Sequence, residues 1–427
     1  MSSPGRVAVV AGCRTPFAKA FTEFRDLTAL DLATVCTREL VERAEIEPKS
    51  VGIVVMGQVI ASPFAPNLGR EVTLRAGLSS ATPAHTVNRA CASAVQAIAD
   101  VASAISAGHA DVGIAGGAES ISDAPILHSK KMSSAFASAS RAKSLGARLR
   151  AFTAIRPRDL TPRAPAIAEP STGLSMGESA EKMAKENGIT RAEQDEIALR
   201  SHRNASAAIA DGRLPRETCA VYVPPRYGAV SADGLVRHDA TLEALARLPP
   251  AFDKRHGSVS AGNSSPLTDG AAAVLLMSES RAAATGTVPL AFVRSWAVAA
   301  VDPGGQLLMG PALAIPLALE RAGITLADLD LIEMHEAFAA QVASNIQALE
   351  SALWAKQKLG RDTPVGQVDR ERLNVCGGSI ALGHPFGATG ARIVTTLANE
   401  MARRGAKLGL VSVCAQGGLG FAMVLER

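Results

Sequence analysis

Four residues of this 427-residue chain carry side chains that could share one covalent reaction. Cys91 stands in Asn88-Arg-Ala-Cys91-Ala-Ser-Ala94, and His335 in Glu333-Met-His335-Glu-Ala-Phe338. His384 stands in Gly383-His384-Pro-Phe-Gly387, and Cys414 in Val413-Cys414-Ala-Gln416-Gly-Gly418. Two thiols and two imidazoles supply a nucleophile, a base to activate it, an acid and an oxyanion donor. The glycines beside them permit close approach of a ligand to backbone and leave N–H groups free. Taken singly, each residue also has a purely structural reading: a lone Cys is commonly small buried filler, and a His before Pro is often a capped surface residue. The case for chemistry rests on all four meeting.

The elements that would bring them together are readable. An extended segment ends at Pro83–Val87, and a helix follows Asn88 towards Ile105. Cys91 is thus expected at or just inside a helix N-terminus, where unpaired N–H groups and the helix dipole favour thiolate. Arg6–Ala11, Ser50–Gly57 and Asp111–Ala115 read as strands, with Gly116–Ser120 as a turn. Thr28–Ala44 and Asn67–Ala76 read as helices. Alternating strand and helix predicts a mostly parallel sheet covered on both faces.

From residue 288 the pattern repeats. Strand Pro289–Ala299, helix Pro311–Ala322 and strand-bearing Thr325–His335 match the first half in order. Gly383–Glu400 reads as loop then helix, like Asn88–Ile105, and Leu408–Cys414 as a strand ending in a glycine turn. This predicts an internal duplication with matched strand and helix ends facing one another. The four reactive residues fall at those ends.

Residues 125–250 break the pattern and read as an insertion. Ser129–Arg150 is basic and helical, and Arg156–Pro170 holds four prolines and is expected to be irregular. Glu178–Asn187 is a helix, the capping box Thr190–Glu193 opens another to about Asp211, and Tyr222–Val230 is a surface excursion. Between Ala124 and Ala168 nine basic residues (Lys130, Lys131, Arg141, Lys143, Arg148, Arg150, Arg156, Arg158, Arg163) face one acid, Asp159. That segment carries +8 in a chain of net charge +4, which points to an anionic partner surface or a phosphate-bearing ligand, or else to a solvated face.

Composition excludes several classes. The six cysteines are scattered, with no CxxC pair and no His cluster at zinc spacing, so neither a disulfide scaffold nor a metal site is expected. No run of eighteen apolar residues occurs. Met-Ser-Ser-Pro-Gly-Arg leads straight into a strand without a signal-peptide pattern, and a reducing cytoplasm is expected. No Walker-type or Gly-x-Gly-x-x-Gly loop follows a strand. Neither nucleic acid nor a permanently bound cofactor is expected.

Over nearly the whole chain these motifs resemble the thiolase family. Asn88–Ala94 is similar to its acyl-cysteine box, Asn374–Arg392 to its histidine box, Cys414–Gly420 to its second-cysteine box, and Gly262–Ala273 to its coenzyme A loop. The resemblance implies an α/β thiolase fold: two duplicated βαβαβαββ halves in five αβαβα layers, with a mostly helical loop-domain insertion. It implies a division into 1–124 plus 251–287, 125–250, and 288–427. His335 stands where most thiolases have Asn. With the basic insertion Lys130–Pro162, this resembles the thiolase subunit of trifunctional-type fatty-acid β-oxidation complexes.

The implied activity is cleavage of 3-ketoacyl-CoA by CoA through an acyl-Cys91 intermediate, with His384, His335 and Cys414 as the other catalytic residues. Backbone N–H groups of Cys91 and Gln416 would form the oxyanion hole, although many thiolases have Gly where this chain has Gln416. Coenzyme A enters as a co-substrate, with Met176 and Ser265 at pantetheine, Ala337 and Phe338 at its end, and Arg237 near the nucleotide. Implied partners are a second copy of the chain, a hydratase/dehydrogenase subunit, and a membrane surface touched through 125–165. The rivals are a biosynthetic acetoacetyl-CoA thiolase, a ketoacyl-synthase-type condensing enzyme and a non-enzymatic scaffold subunit.

Overall fold

The computed structural model describes residues 5–162 and 168–427, so Arg163 of the basic segment lies outside it. The first half runs β1 (Val7–Arg14), α1 (Ala29–Arg43), β2 (Ile53–Gly57), α2 (Leu68–Arg75), β3 (Ala84–Val87), α3 (Ser93–Ser106), β4 (Val112–Glu119) and β5 (Thr268–Ser278). Between β4 and β5 lie α4 (Lys130–Arg141), α5 (Leu145–Arg150), α6 (Met176–Asn187) and α7 (Arg191–Ala210). The second half runs β6 (Ala291–Ala300), α8 (Gly310–Ala322), β7 (Leu331–Met334), α9 (Ala339–Glu350), α10 (Thr389–Arg404), β8 (Leu408–Ala415) and β9 (Leu419–Glu426). The counterpart of β3 is reduced to Leu373, bridged in parallel to Ile332. The duplicated βαβαβαββ order is therefore present in both halves.

The strands are ordered β7-β8-β9-β6-β1-β5-β4-β2-β3, and the two halves join where Val7–Val9 pairs antiparallel with Ala291–Val293. Alternation along each strand sorts side chains into layers. In β5, Ala271, Ala273, Leu275 and Met277 pack outward with α1 and α2, whereas Ala272, Val274 and Leu276 pack inward with α3 and α10. In the second half Leu410, Ala422 and Val424 face α8 and α9, while Val411, Val413 and Met423 face the same α3–α10 layer. The result is five layers, αβαβα, with α3 and α10 sandwiched between the two halves of the sheet.

A sandwiched helix must be apolar all round and slim. In α3, Ala94, Val95, Ala97, Ile98, Ala99, Val101 and Ala102 are all at most 1% exposed. Its partner α10 approaches so closely at Gly390 that a Cβ there would lie 2.6 Å from Val95 N. The starts of both central helices are thereby brought to the same end of the molecule, which is what the site requires.

Several expectations are corrected. The sheet is mixed, not mostly parallel: β2–β3, β2–β4 and β7–β8 pair parallel, whereas β1–β5, β1–β6, β4–β5, β6–β9 and β8–β9 pair antiparallel, because each half ends in two antiparallel strands that meet β1 and β6 at the centre. Gly116 to Glu119 continue β4 instead of turning; they pair with Gly270–Ala273. Gly117 is bare because a Cβ would meet the carbonyl oxygens of Gly387 and Gly57 at 2.0 and 2.5 Å. The basic stretch Ser129–Arg150 is two helices, since Ser144 caps a new one by accepting from Ala147 N. Pro157–Asp159 forms one 3-10 turn inside the proline-rich stretch, and the excursion at 222–230 is a small hairpin pairing Val221–Val223 with Gly228–Val230. Among the described residues, no helix is long and apolar enough to cross a membrane.

Candidate active site

Cys91 sits two residues before α3, not inside it. The chain turns at Ala90, whose φ is +45°, and Ser93 Oγ ties the turn by accepting from Arg89 N at 2.9 Å. Strand β7 runs on into His335, whose N–H donates to Ser412 O at 2.8 Å. His384 sits in the loop before α10, with a helical turn Ser379–Leu382 just ahead of it. Cys414 lies near the end of β8.

These positions converge. Cys91 Sγ and one ring nitrogen from each of His335 and His384 all lie within 4.8 Å of one another. The imidazole centroids are 4.1 Å apart. One cleft is lined by Cys91, His384, Cys414 and Gln416 together with Met176, Ser265, Ala337 and Phe338. Its walls are apolar (Val59, Ile60, Leu308, Phe386), so water is scarce where the sulfur sits. His335 is fully buried against His384. Arg237 is in a neighbouring groove, which shares Ser265 and Leu267 with the cleft.

Local pairing sets the cleft wall. Segment 263–265 lies along the start of α9: Ser265 N donates to Ala337 O at 3.0 Å and Ala339 N to Asn263 O at 2.9 Å. Phe338 packs edge-on against Phe252 with centroids 6.0 Å apart. Met176 opens α6 behind its Ser175 cap.

Electrostatics oppose the thiolate that a helix start favours. Burial pushes the Cys91 thiol up to about 12, against the backbone N–H groups of Gln416 and Cys91, which lower it. The nearby Glu119 carboxyl adds to burial in raising it. Cys414 is likewise raised well above the ordinary thiol range by burial and by its neighbour Cys91. Burial, then the Arg392 guanidinium, lowers His384 to about 3; burial, His384 and Arg392 hold His335 well below the usual range. The resting pair is a neutral thiol beside a neutral imidazole.

Gln416 departs from glycine with a visible compensation. Its Nε2 donates to Ala168 O at 2.7 Å, and Gly417 N donates to Glu169 Oε2 at 3.0 Å. Ala168 and Glu169 of the insertion thus pin the turn that carries the residue-416 N–H beside Cys91.

Residues the sequence did not single out hold the site from behind. Thr389 Oγ1 contacts His384 Nδ1 at 2.6 Å, and Ser379 Oγ contacts His335 Nδ1 at 2.9 Å. Arg392, 1% exposed, donates to Ser379 Oγ at 3.2 Å and faces Glu333 at 3.6 Å. Glu119 accepts from Val59, Ile60 and Gly387 N–H groups at 3.0–3.1 Å and so ties the two loops together. Ser379, Thr389 and Arg392 lie inside the histidine motif. The signal for them was that a buried imidazole nitrogen needs a partner.

Comparison with known proteins agrees with this architecture. Residues 7–280 match the thiolase N-terminal domain, and residues 287–427 the thiolase C-terminal domain. The chain belongs to the thiolase family. A 3-ketoacyl-CoA thiolase of Pectobacterium carotovorum subsp. carotovorum (strain PC1) is 53% identical over 421 residues, 99% of this chain and 96% of its own. Another, of Yersinia pestis (strain Pestoides F), is 52% identical over 99% of this chain and 97% of its own. Human mitochondrial 3-ketoacyl-CoA thiolase has the same fold at a TM-score of 0.84 and 32% identity, covering 100% of both chains. A Bacillus anthracis acetyl-CoA acetyltransferase gives 0.85 and 34%, with the same coverage. This thiolase-family chain is an acyltransferase.

Proposed function

We propose that this chain is a degradative 3-ketoacyl-CoA thiolase of fatty-acid β-oxidation, cleaving 3-ketoacyl-CoA with CoA to acetyl-CoA and an acyl-CoA shortened by two carbons. The observation that carries the reading is the convergence of Cys91, His384 and Cys414 in one apolar cleft, with the Gln416 N–H directed at the sulfur.

The geometry supports the following course. His384 Nε2 takes the Cys91 proton as Sγ attacks the 3-keto carbon. The C2–C3 bond breaks and its electron pair becomes the enolate of acetyl-CoA. The enolate oxygen accepts from the His384 and His335 rings, and Cys414 Sγ–H gives its proton to C2. Cys91 is left as a thioester. The Cys414 thiolate then takes the thiol proton of a second CoA, whose sulfur attacks the thioester carbonyl. Backbone N–H groups of Cys91 and Gln416 hold the tetrahedral oxyanion. Collapse releases acyl-CoA, and the Cys91 sulfur recovers its proton from His384. Coenzyme A enters as a co-substrate, with pantetheine along Met176 and Ser265, its end at Ala337 and Phe338, and its nucleotide near exposed Arg237. No resident cofactor or metal takes part.

The reading extends to organisation and assembly. Residues 1–124 plus 251–287, 125–250, and 288–427 act as nucleophile half, loop domain and second half. Edge strand β3 at one end of the sheet supports a homodimer. Segment 125–165 docks a hydratase/dehydrogenase subunit or an anionic bilayer surface. In its support, Phe136, Leu145 and Leu149 are exposed among Lys130, Lys131, Arg141, Lys143, Arg148 and Arg150. Six free cysteines support a reducing cytoplasm.

Thiolysis rates across C4 to C16 3-ketoacyl-CoA substrates test the function. Turnover of several chain lengths is expected. Turnover of acetoacetyl-CoA alone would replace the reading with a biosynthetic acetoacetyl-CoA thiolase, and no CoA-dependent cleavage would end it.

A further inference from the structure

The two site histidines are held in the same way but by hydroxyls in different circumstances. In each ring Nδ1 meets a hydroxyl, and Nε2 is buried without a partner among the described residues. A neutral imidazole carries one proton, and the hydrogen bond at one nitrogen decides which nitrogen holds it.

At His335 the partner is Ser379 Oγ, which also receives an N–H from Arg392. A guanidinium only donates. Ser379 is fully buried, and its single proton has one acceptor within reach, the imidazole. If the ring donated instead, the buried Ser379 O–H and the Nε2 lone pair would both lack a partner, whereas with Ser379 donating only the Nε2–H does. Ser379 therefore donates to Nδ1, and the His335 proton sits on Nε2.

At His384 the partner is Thr389 Oγ1, which lies 3.1 Å from Pro385 O. A carbonyl only accepts. The hydroxyl can make both contacts only by donating to Pro385 O and accepting from His384 Nδ1–H. Nε2 is then bare.

We propose that Thr389 on one side, and the Arg392–Ser379 pair on the other, lock the two histidines in opposite neutral tautomers. His384 presents a lone pair and His335 presents an N–H to the same reacting centre. Resting on the proposed function, this divides the labour before substrate arrives: His384 is built to take the Cys91 proton and His335 to donate to the enolate oxygen. Ser379, Thr389 and Arg392 are positioning residues. Burial, with Arg392 beside the rings, keeps both neutral and so makes the tautomer meaningful. The assignment also counts against reading Cys91, His335 and His384 as a metal cradle. Ligation takes a bare imidazole nitrogen, and His335 offers an N–H there.

Nitrogen-15 NMR of histidine-labelled protein, with His335→Gln and His384→Gln assigning the signals, reads the tautomers directly. The expected pattern is an acceptor-type Nδ1 at His335 and an acceptor-type Nε2 at His384. The same tautomer at both rings overturns the proposal. Ser379→Ala should erase the His335 preference and lower kcat for thiolysis roughly 10–100-fold, with little change in KM for CoA. Ser379→Thr, which keeps a hydroxyl, should restore both. Thr389→Val should disturb His384 alone. Unchanged NMR and kcat in Ser379→Ala would refute the positioning role. Opposite tautomers in a chain that cleaves no 3-ketoacyl-CoA would end the proposed function while leaving the tautomers standing.

Discussion

The loop that leads into α3 and the loop that leads into α10 occupy the same place in the two halves, yet they are built for opposite tasks. The first is a tight turn through Ala90 that leaves Cys91 half-buried at the cleft, with N–H groups aimed at its sulfur. The second is longer, carries the extra turn Ser379–Leu382, and buries His384 to 3% exposure with its ring tied to Thr389. Duplication supplied two equivalent helix starts in one layer. One became an open nucleophile and the other an enclosed base. Glu119, at the end of β4, accepts from Gly387 N of the second loop and from Val59 N, whose carbonyl in turn accepts from Asn88 Nδ2 of the first, so the two are linked through the loop after β2.

Removing the base should give the largest change. His384→Gln is expected to lower kcat by roughly 10²–10⁴-fold while CoA binding persists, measured by stopped-flow thiolysis and calorimetry. A loss no greater than that of a surface variant would break the assignment of the second loop. The pH profile sharpens it. Because His384 is lowered to about 3 from an ordinary 6.5, its base form persists through neutrality. The acid limb of kcat/KM should fall below the usual histidine range; a limb near 6.5 would mean that the ring is solvated in the working enzyme.

Cutting the link comes next. Burial raises Glu119 to about 7 from 4.5, so the folded chain holds that proton more tightly than the unfolded one. Its contribution to stability is present below pH 4.5 and is lost as pH rises through 7, about 3 kcal/mol in all. Glu119→Gln places an amide N–H where backbone N–H donors point, and should cost roughly 1–3 kcal/mol. The deficit against wild type, read by urea unfolding, should shrink as pH rises from 5 to 8. A deficit independent of pH would show that Glu119 does not titrate in that window.

The smallest effect is expected outside both loops. Arg237 is exposed in the adjoining groove, so Arg237→Ala should raise KM for CoA by no more than the roughly fivefold that 1 kcal/mol allows, with kcat unchanged. A large fall in kcat would move Arg237 into the reacting centre.

Much of this comparison was legible in the sequence. The repeat of strand and helix, and the motifs around Cys91, His335, His384 and Cys414, are local patterns, so the duplicated fold and the meeting of those side chains followed from them. Three features were not local. Gly117 sits in a strand because Gly387, from the other half, presses on it. Cys91 precedes its helix, and its thiol is raised because burial by distant elements outweighs the backbone N–H groups of Gln416 and Cys91. Ser379, Thr389 and Arg392 matter only through rings whose burial is a tertiary property.

The central claim is that an acyl group passes through Cys91. Protein incubated with an acyl-CoA in the absence of free CoA, quenched in acid and digested, can be weighed peptide by peptide. The account predicts the acyl mass on the peptide containing Cys91, its disappearance on adding CoA, and its absence in Cys91→Ala. Acyl transfer that proceeds in Cys91→Ala, or an acyl mass found on Cys414 instead, would contradict it.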